Sequence, residues 1–402
     1  MRVLTDGRLP VKCYASQVED GALEQARNLA NLPCNVHHIA LMPDAHQGFG
    51  MPIGGVIFTD GAVIPNAVGV DIGCGVALLS TGMRQEDLSK PEIKLILDGI
   101  AKRVPTGFSK HANQDSPNGD KLLKAMKIDW GERFAKDMLD DEIVEWQWFD
   151  ETLDAMGTLG GGNHFIELQA DELGYVYVML HSGSRGLGKR IGDFYHKQAV
   201  ELCERYRTPL PTKDLAFFPA GTEENSNYVD AMNFGLAWAE QNRVHMLAQV
   251  IEVLRDFPCS PKVEVNVHHN YAAWENHFGV NGIVHRKGAI RARKDEILLI
   301  PGSMGASSYI AKGLGNPDSY NTCQHGAGRA MGRNDAKRRY EAGELENLAT
   351  FMGSRNIQMG GRASEAIDEH PGAYKDIEQV MADSVDLIVP VHKMTPLGVV
   401  KG

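Results

Sequence analysis

The chain has 402 residues, 43% of them hydrophobic, with six cysteines and a formal charge of −11. That is enough apolar material for a full core, and no apolar run approaches the ~18 residues of a membrane span. The acidic balance excludes a protein that coats nucleic acid through bulk charge, while leaving room for a local basic groove.

The start, Met1-Arg2-Val3-Leu4-Thr5-Asp6-Gly7, lacks the apolar core of a signal peptide, so a cytoplasmic protein without membrane association is expected. Short apolar segments at Ile53–Phe58 and Val76–Leu79, broken by glycines, predict strands. Ser89-Lys90-Pro91-Glu92 is a capping box ahead of Ile93, Ile96, Leu97 and Ile100, and predicts a helix. Residues 109 to 150 are polar and aperiodic, and read as a surface excursion. Val176–Leu180 is a strand ending at His181. Helical spacing of Phe234, Trp238, Val244, Leu247, Ile251 and Leu254 predicts a helix over Ala231–Phe257. Val263, Val265 and Val267 alternate with polar residues, a half-buried strand running into His268 and His269. Ile297–Ile300 is a further strand, stopped by Pro301-Gly302, and Val399-Val400 feed Lys401 near the end. Strands and helices do not alternate regularly, which favours α+β over a doubly wound sheet. No repeat or linker divides the chain, so one domain over 1–402 is expected.

Cys13, Cys34, Cys74, Cys203, Cys259 and Cys323 are scattered without a C-x-x-C pair, unlike a disulfide framework or zinc ribbon. The 43 glycines exceed the roughly 28 that an average usage of ~7% would give. They gather at 48–55, 69–75, 157–162, 183–192, 302–305 and 326–332, beside polar residues.

Those glycine turns carry the chemistry. In His325-Gly326-Ala327-Gly328-Arg329 a ring nitrogen can act as nucleophile, and glycines let backbone N–H groups approach a phosphate. Asp71-Ile72-Gly73-Cys74 sets a carboxylate and a thiol three residues apart, a metal pair or a tight turn with a buried cysteine. Gly160-Gly161-Gly162 delivers the chain to Asn163-His164-Phe165-Ile166-Glu167. His181-Ser182-Gly183-Ser184-Arg185 and His268-His269-Asn270 each end a strand. A lone histidine is usually structural; three at glycine turns or strand ends suggest ligands. Pro301-Gly302-Ser303-Met304-Gly305, Ser307 and Ser308 add donors. Two basic clusters, Arg185/Lys189/Arg190 and Arg286/Lys287/Arg291/Arg293/Lys294, are candidates for a local basic groove or for solvated faces.

Taken in order, Pro43-Asp44-Ala45-His46-Gln47-Gly48, Gly69-Val70-Asp71-Ile72-Gly73-Cys74-Gly75, Gly162 to Glu167, His181 to Gly186, His269-Asn270, Pro301 to Gly305, His325 to Arg329 and Val400-Lys401-Gly402 resemble the motif set of RtcB-type RNA-splicing ligases across essentially the whole chain. The stretch Gln47 to Pro52 varies among relatives of that kind. The resemblance implies an RtcB-like α+β fold, with one catalytic domain of sheets and helices around a two-metal site. It implies a GTP-dependent ligase that joins an RNA 3′-phosphate or 2′,3′-cyclic phosphate to a 5′-hydroxyl in tRNA splicing or RNA repair, through a His-GMP intermediate. Carried over residue by residue, Asp71, Cys74 and His164 would hold one Mn(II), and Cys74, His181 and His269 a second. His325 would take the GMP. Asn163, His164, Phe165, Ile166, Glu167, His269, Asn270, Pro301, Gly302, Ser303, Met304, Ser308, His325, Gly326, Ala327, Gly328 and Lys401 would line the guanylate site. An archease-like activator is a further partner the resemblance suggests.

Cysteine and histidines by themselves favour zinc, whereas the resemblance implies manganese. Two rivals remain on the residues: a metal-dependent phosphodiesterase, needing neither His325 nor Lys401, and a non-catalytic RNA-binding relative. An intact His325 motif and the terminal lysine favour the ligase.

Overall fold

The computed structural model describes residues 1–111, 152–361 and 363–402, so most of the expected surface excursion lies outside the described residues. Two sheets dominate. The first has six strands in the order Arg2–Leu4, Val11–Cys13, Asn35–His46, Ile53–Thr59, Val280–Lys287, Asn270–His277. The second runs Ile297–Ile300, Ser308–Gly313, Ile388–Lys401, Phe165–Ala170, Tyr175–Ser182, Gly75–Arg84, Lys262–His268, with Gln358–Gly360 joining as an eighth strand. Pairing is antiparallel except at Val11–Cys13 with Asn35–His46 and at Gln358–Gly360 with Ile388–Lys401. This is the mixed helix-and-sheet architecture the irregular strand spacing predicts.

Helices cover the sheets with their apolar stripes. The helix Lys90–Arg103 starts at a true capping box, Ser89 and Glu92 bonding each other's backbone N–H. It buries Ile96, Leu97 and Ile100 against Leu247 and Val250 of the helix Glu223–Leu254, and against Ile166 and Leu168 of the second sheet. Glu223–Leu254 begins eight residues before the predicted start, because the Thr222 hydroxyl caps Asn225 N–H. Val244, expected on its apolar stripe, is exposed, while its neighbours Asn242 and Arg243 turn inward. Val263 is likewise 46% exposed, since Lys262–His268 is the edge of its sheet. Among the described residues, no helix is long and apolar enough to cross a membrane.

The chain crosses from one sheet to the other at His269. Lys262–His268 ends the second sheet, and Asn270–His277 opens the free edge of the first. The junction is where the polar, glycine-containing turns converge.

Candidate active site

A single register line across the second sheet gathers the ligand-type residues. Lys401 pairs with Phe165, Phe165 with His181, His181 with Val76, and Val76 with Val267. His164, Cys74 and His269 each stand one or two residues from that line, at the ends of adjacent strands. Strand register, not proximity in sequence, therefore brings them together.

Two groups result, and Cys74 belongs to both. Candidate ligand atoms of Cys74, His181 and His269 lie within 4.8 Å of one another, as do those of Asp71, Cys74 and His164. Cys74 Sγ is 3.2 Å from His181 Nε2 and 3.6 Å from His164 Nε2. His164 Nε2 is 3.1 Å from Asp71 Oδ2, and His181 Nε2 is 3.3 Å from His269 Nε2. The outer nitrogens explain the inner ones. His164 Nδ1 donates to the Leu159 carbonyl at 2.8 Å and His181 Nδ1 to the Asn163 carbonyl at 3.2 Å. In the neutral rings this leaves each Nε2 a lone pair, turned toward a sulfur, a carboxylate or another ring nitrogen. Ring lone pairs of His164 and His181 turned toward a sulfur and a carboxylate suit a cation.

The local electrostatics agree. Burial and the neighbouring His164 and His325 push the His181 pKa well below that of a free imidazole, and burial does the same to His269. Both rings are thus neutral, the form that ligates metals. Burial, then the Asp71 charge, holds the Cys74 thiol well above its ordinary value. A divalent cation would reverse that by displacing the proton.

Behind the ligands, two buried residues of the helix Glu223–Leu254 hold the turns in place. Arg243 Nη1 donates to the Gly73 and Ser182 carbonyls at 2.8 and 3.0 Å, and its Nε to Asn266 Oδ1 at 2.6 Å. Asn242 receives Gly157 N–H at 2.7 Å and donates to the Thr158 and Gly183 carbonyls at 3.2 and 3.0 Å. Gly183 must lack a side chain, because a Cβ there would sit 2.2 Å from Asp71 Oδ1. Asn270 spends its amide on the Asp71 carbonyl and on Gly288 N–H, fixing the turn rather than facing a ligand.

A pocket of about 520 Å³ opens beside this cluster. It is lined by Asn163, Phe165, Glu167 and His181, by Pro301 to Met304 and His325 to Gly328, and by Lys401. His325 follows Thr322–Gln324, which pairs with Ala289–Arg291, and its Nδ1 lies 2.6 Å from Asp44 Oδ2. Asp44 is fully buried at the end of Asn35–His46. Since a carboxylate only accepts, Nδ1 carries the proton and Nε2 keeps its lone pair. Gly328 has φ +72°, and a Cβ there would meet the Asp44 carbonyl at 2.3 Å, so only glycine lets the loop fold over Asp44.

Opposite, Glu369 accepts from Arg333 Nε at 2.8 Å and from the Tyr374 hydroxyl, and lies 3.0 Å from Arg329 Nη1 and 3.9 Å from Lys401 Nζ. Burial opposes its ionisation, but these cations hold its pKa below the usual range. Burial pushes Glu167 up to about 8 and Lys401 down to about 8.

Several expected contacts lie elsewhere. Ile166 is turned into the core, and Ser308 is buried under the loop, receiving Gly302 N–H at 3.1 Å and Gln169 Nε2 at 3.0 Å. His164, His269 and Asn270 sit in or behind the metal-type cluster and do not line the pocket. The basic segment 286–294 is not a groove. Arg286 is completely buried and grips Glu275 at 2.6 and 3.1 Å, Lys287 is buried, and Arg291 pairs with Glu296, leaving Arg293 and Lys294 exposed. Arg185 is half-buried and donates to Thr158 Oγ1 and the Gly107 carbonyl. Asp44, Arg243, Glu369 and Tyr374 carried no assigned role in the sequence. Asp44 sits in the Pro43 to Gly48 motif, and Asn242-Arg243 interrupt an apolar helical stripe, which is a usable signal. Glu369 and Tyr374 have none.

A family model described as tRNA-splicing ligase RtcB matches residues 25–402. RNA-splicing ligase RtcB of Escherichia coli strain K12 is 37% identical over 420 aligned residues, covering 100% of this chain and 99% of that protein. tRNA-splicing ligase RtcB of Thermococcus kodakarensis is 32% identical, covering 98% of this chain and 95% of its own length. RNA-splicing ligase RtcB of Mycobacterium bovis is 32% identical, covering 94% and 100%.

Proposed function

The chain belongs to the RtcB family, and on that premise we propose that it is a GTP- and Mn(II)-dependent RNA ligase, one catalytic domain joining a 3′-phosphate or 2′,3′-cyclic phosphate end to a 5′-hydroxyl. The observation that carries this reading is the 2.6 Å contact between Asp44 and His325 Nδ1, at the wall of a pocket that His181 of the Cys74 cluster also lines. A metal-dependent phosphodiesterase, in which a metal-bound water attacks, does not need an oriented nucleophilic histidine.

The Asp44 carboxylate fixes the tautomer, so His325 Nε2 attacks the α-phosphorus of GTP as pyrophosphate departs. Asp44 then stabilises the cationic ring of the adduct. His325 passes the GMP to the RNA 3′-phosphate, turning a poor electrophile into one with a leaving group. The 5′-hydroxyl attacks that activated phosphate, the 3′,5′ bond forms, and GMP leaves.

The N–H groups of Gly326 and Gly328, with Lys401 and the Arg329/Arg333 pair, provide positive potential for phosphate oxygens. Glu167 and Phe165 offer an acceptor and an aromatic face for the guanine. Asp71, Cys74 and His164 would hold one metal ion, and Cys74, His181 and His269 the other. Bound there, the ions neutralise phosphoryl charge and lower the pKa of water or hydroxyl groups. The thiol and imidazoles would also accept zinc, and manganese follows from the family. Cytoplasmic tRNA splicing or RNA repair, with an archease-like activator, completes the proposal.

Incubation with α-labelled GTP and manganese, then a denaturing gel, tests it. A labelled protein band that is labile to acid and stable to alkali, and that disappears on adding RNA 3′-phosphate, is expected. No band, with metal and nucleotide in excess, would overturn the reading.

A further inference from the structure

The chemistry above leaves two neighbouring features without a role. Phe49 keeps 57% of its surface in water, in the loop whose residues Gln47 and Gly48 line the pocket. Beneath it lies Lys287, buried, whose Nζ donates to the Phe49 carbonyl at 2.5 Å and the Asn66 carbonyl at 2.9 Å. Removing an ammonium from water is costly, and burial here pushes its pKa down to about 7. An exposed phenylalanine forgoes the gain of apolar burial. Neither arrangement helps the fold.

Together they hold an aromatic ring in one place. The loop backbone is tied on both sides of the ring. Gln25 donates to the Gly48 carbonyl at 2.7 Å and accepts Gly48 N–H at 3.1 Å. Glu19 accepts Gln47 N–H, and Met51 N–H returns to the Phe49 carbonyl at 2.8 Å. His196 packs against the Phe49 ring at 6.4 Å between centroids and near right angles, and its own Nδ1 is held 3.1 Å from Asn66 Nδ2. A flexible loop tip would need none of these anchors.

We propose that Phe49 is a stacking platform for one base of the RNA, beside the ends being joined. Single-stranded ends present unstacked bases, which proteins receive on aromatic faces without regard to sequence. A preset ring loses little entropy on binding. It also gives an acidic protein a hold on RNA that does not depend on net charge. The proposal rests on the ligase reading.

The test combines abasic RNA with Phe49 variants. Ligation is measured with strands carrying an abasic nucleotide at successive positions from each reacting end. For the unsubstituted protein, one position should raise KM by about 5- to 150-fold, the range of one lost base–aromatic stack. F49A should show a similar rise with intact RNA and no further penalty at that position, and F49W should restore the KM. GMP transfer to His325 needs no RNA, so its rate should be unchanged in F49A. An F49A enzyme with unchanged KM, or abasic penalties that persist in full at every position, would overturn the platform. So would loss of GMP transfer in F49A, which would mark the ring as structural. If the unsubstituted protein neither takes up GMP nor joins RNA, the ligase reading itself fails.

Discussion

The Asp44 carboxylate binds His325 twice, through ring Nδ1 at 2.6 Å and the backbone N–H at 3.1 Å, both on Oδ2. The other oxygen, Oδ1, is buried without a partner among the described residues. A buried anion committed to a single histidine fixes the ring's tautomer and favours its cationic form once a phosphorus is attached.

Asp44→Asn should therefore slow GMP transfer to the protein by about 10²- to 10⁴-fold, the usual span for a group that assists proton and charge movement. Metal content should stay the same. Single-turnover labelling from α-labelled GTP measures the rate. A loss of less than tenfold would mean that Asp44 is not what activates the ring.

Cys74 is common to both ligand groups. Cys74→Ala should lower metal occupancy at both positions and abolish GMP transfer, while the variant remains folded by circular dichroism. Elemental analysis after dialysis reads the outcome. Full occupancy of both positions in the variant would refute a shared ligand.

His325 is needed to activate the RNA end and not to seal it. His325→Ala should form no adduct and should leave 3′-phosphate ends unjoined. Given RNA whose 3′-phosphate already carries GMP, it should still join the ends, at a somewhat reduced rate, because residues acting as a unit are not additive. An adduct in this variant would assign the nucleophile to another residue.

Glu275 gives a stability prediction away from the site. Burial would raise its pKa, but His277 at 2.8 Å and the buried Arg286 hold it at about 2, against an ordinary 4.5. A carboxylate whose pKa is lower in the fold stabilises fully above its unfolded value. That contribution is lost as pH falls from about 4.5 toward about 2. Glu275→Ala should cost about 3–5 kcal/mol at neutral pH, because it leaves Arg286 charged and unpaired in the interior. Glu275→Gln should flatten the acid limb of denaturant midpoint against pH. An acid limb as steep as before would show that other carboxylates carry it.

Local signals were readable because their causes are local. The Ser89–Glu92 box needs only one turn of chain, and Ile297–Ile300 is a short apolar run closed by Pro301-Gly302. His181 at the end of its strand and the glycines before Asn163 also announced themselves within a few residues. Charge did not behave as locally. Arg286 and Lys287 looked like a basic face, but strand Val280–Lys287 lies between two neighbours, and both side chains point inward to partners from elsewhere.

The sequence by itself determined which chemistry is available: a histidine among glycines, a carboxylate and thiol three residues apart, and strand-end histidines. Only the tertiary structure decided which of them meet. Asp44 and His325 are 281 residues apart, and Glu369 lies 3.9 Å from Lys401 Nζ. Periodicity and turn preference act over a few residues, while register between strands distant in sequence is set by burying both faces of two sheets at once. A partner that exists only through that register leaves no mark in the chain around either residue.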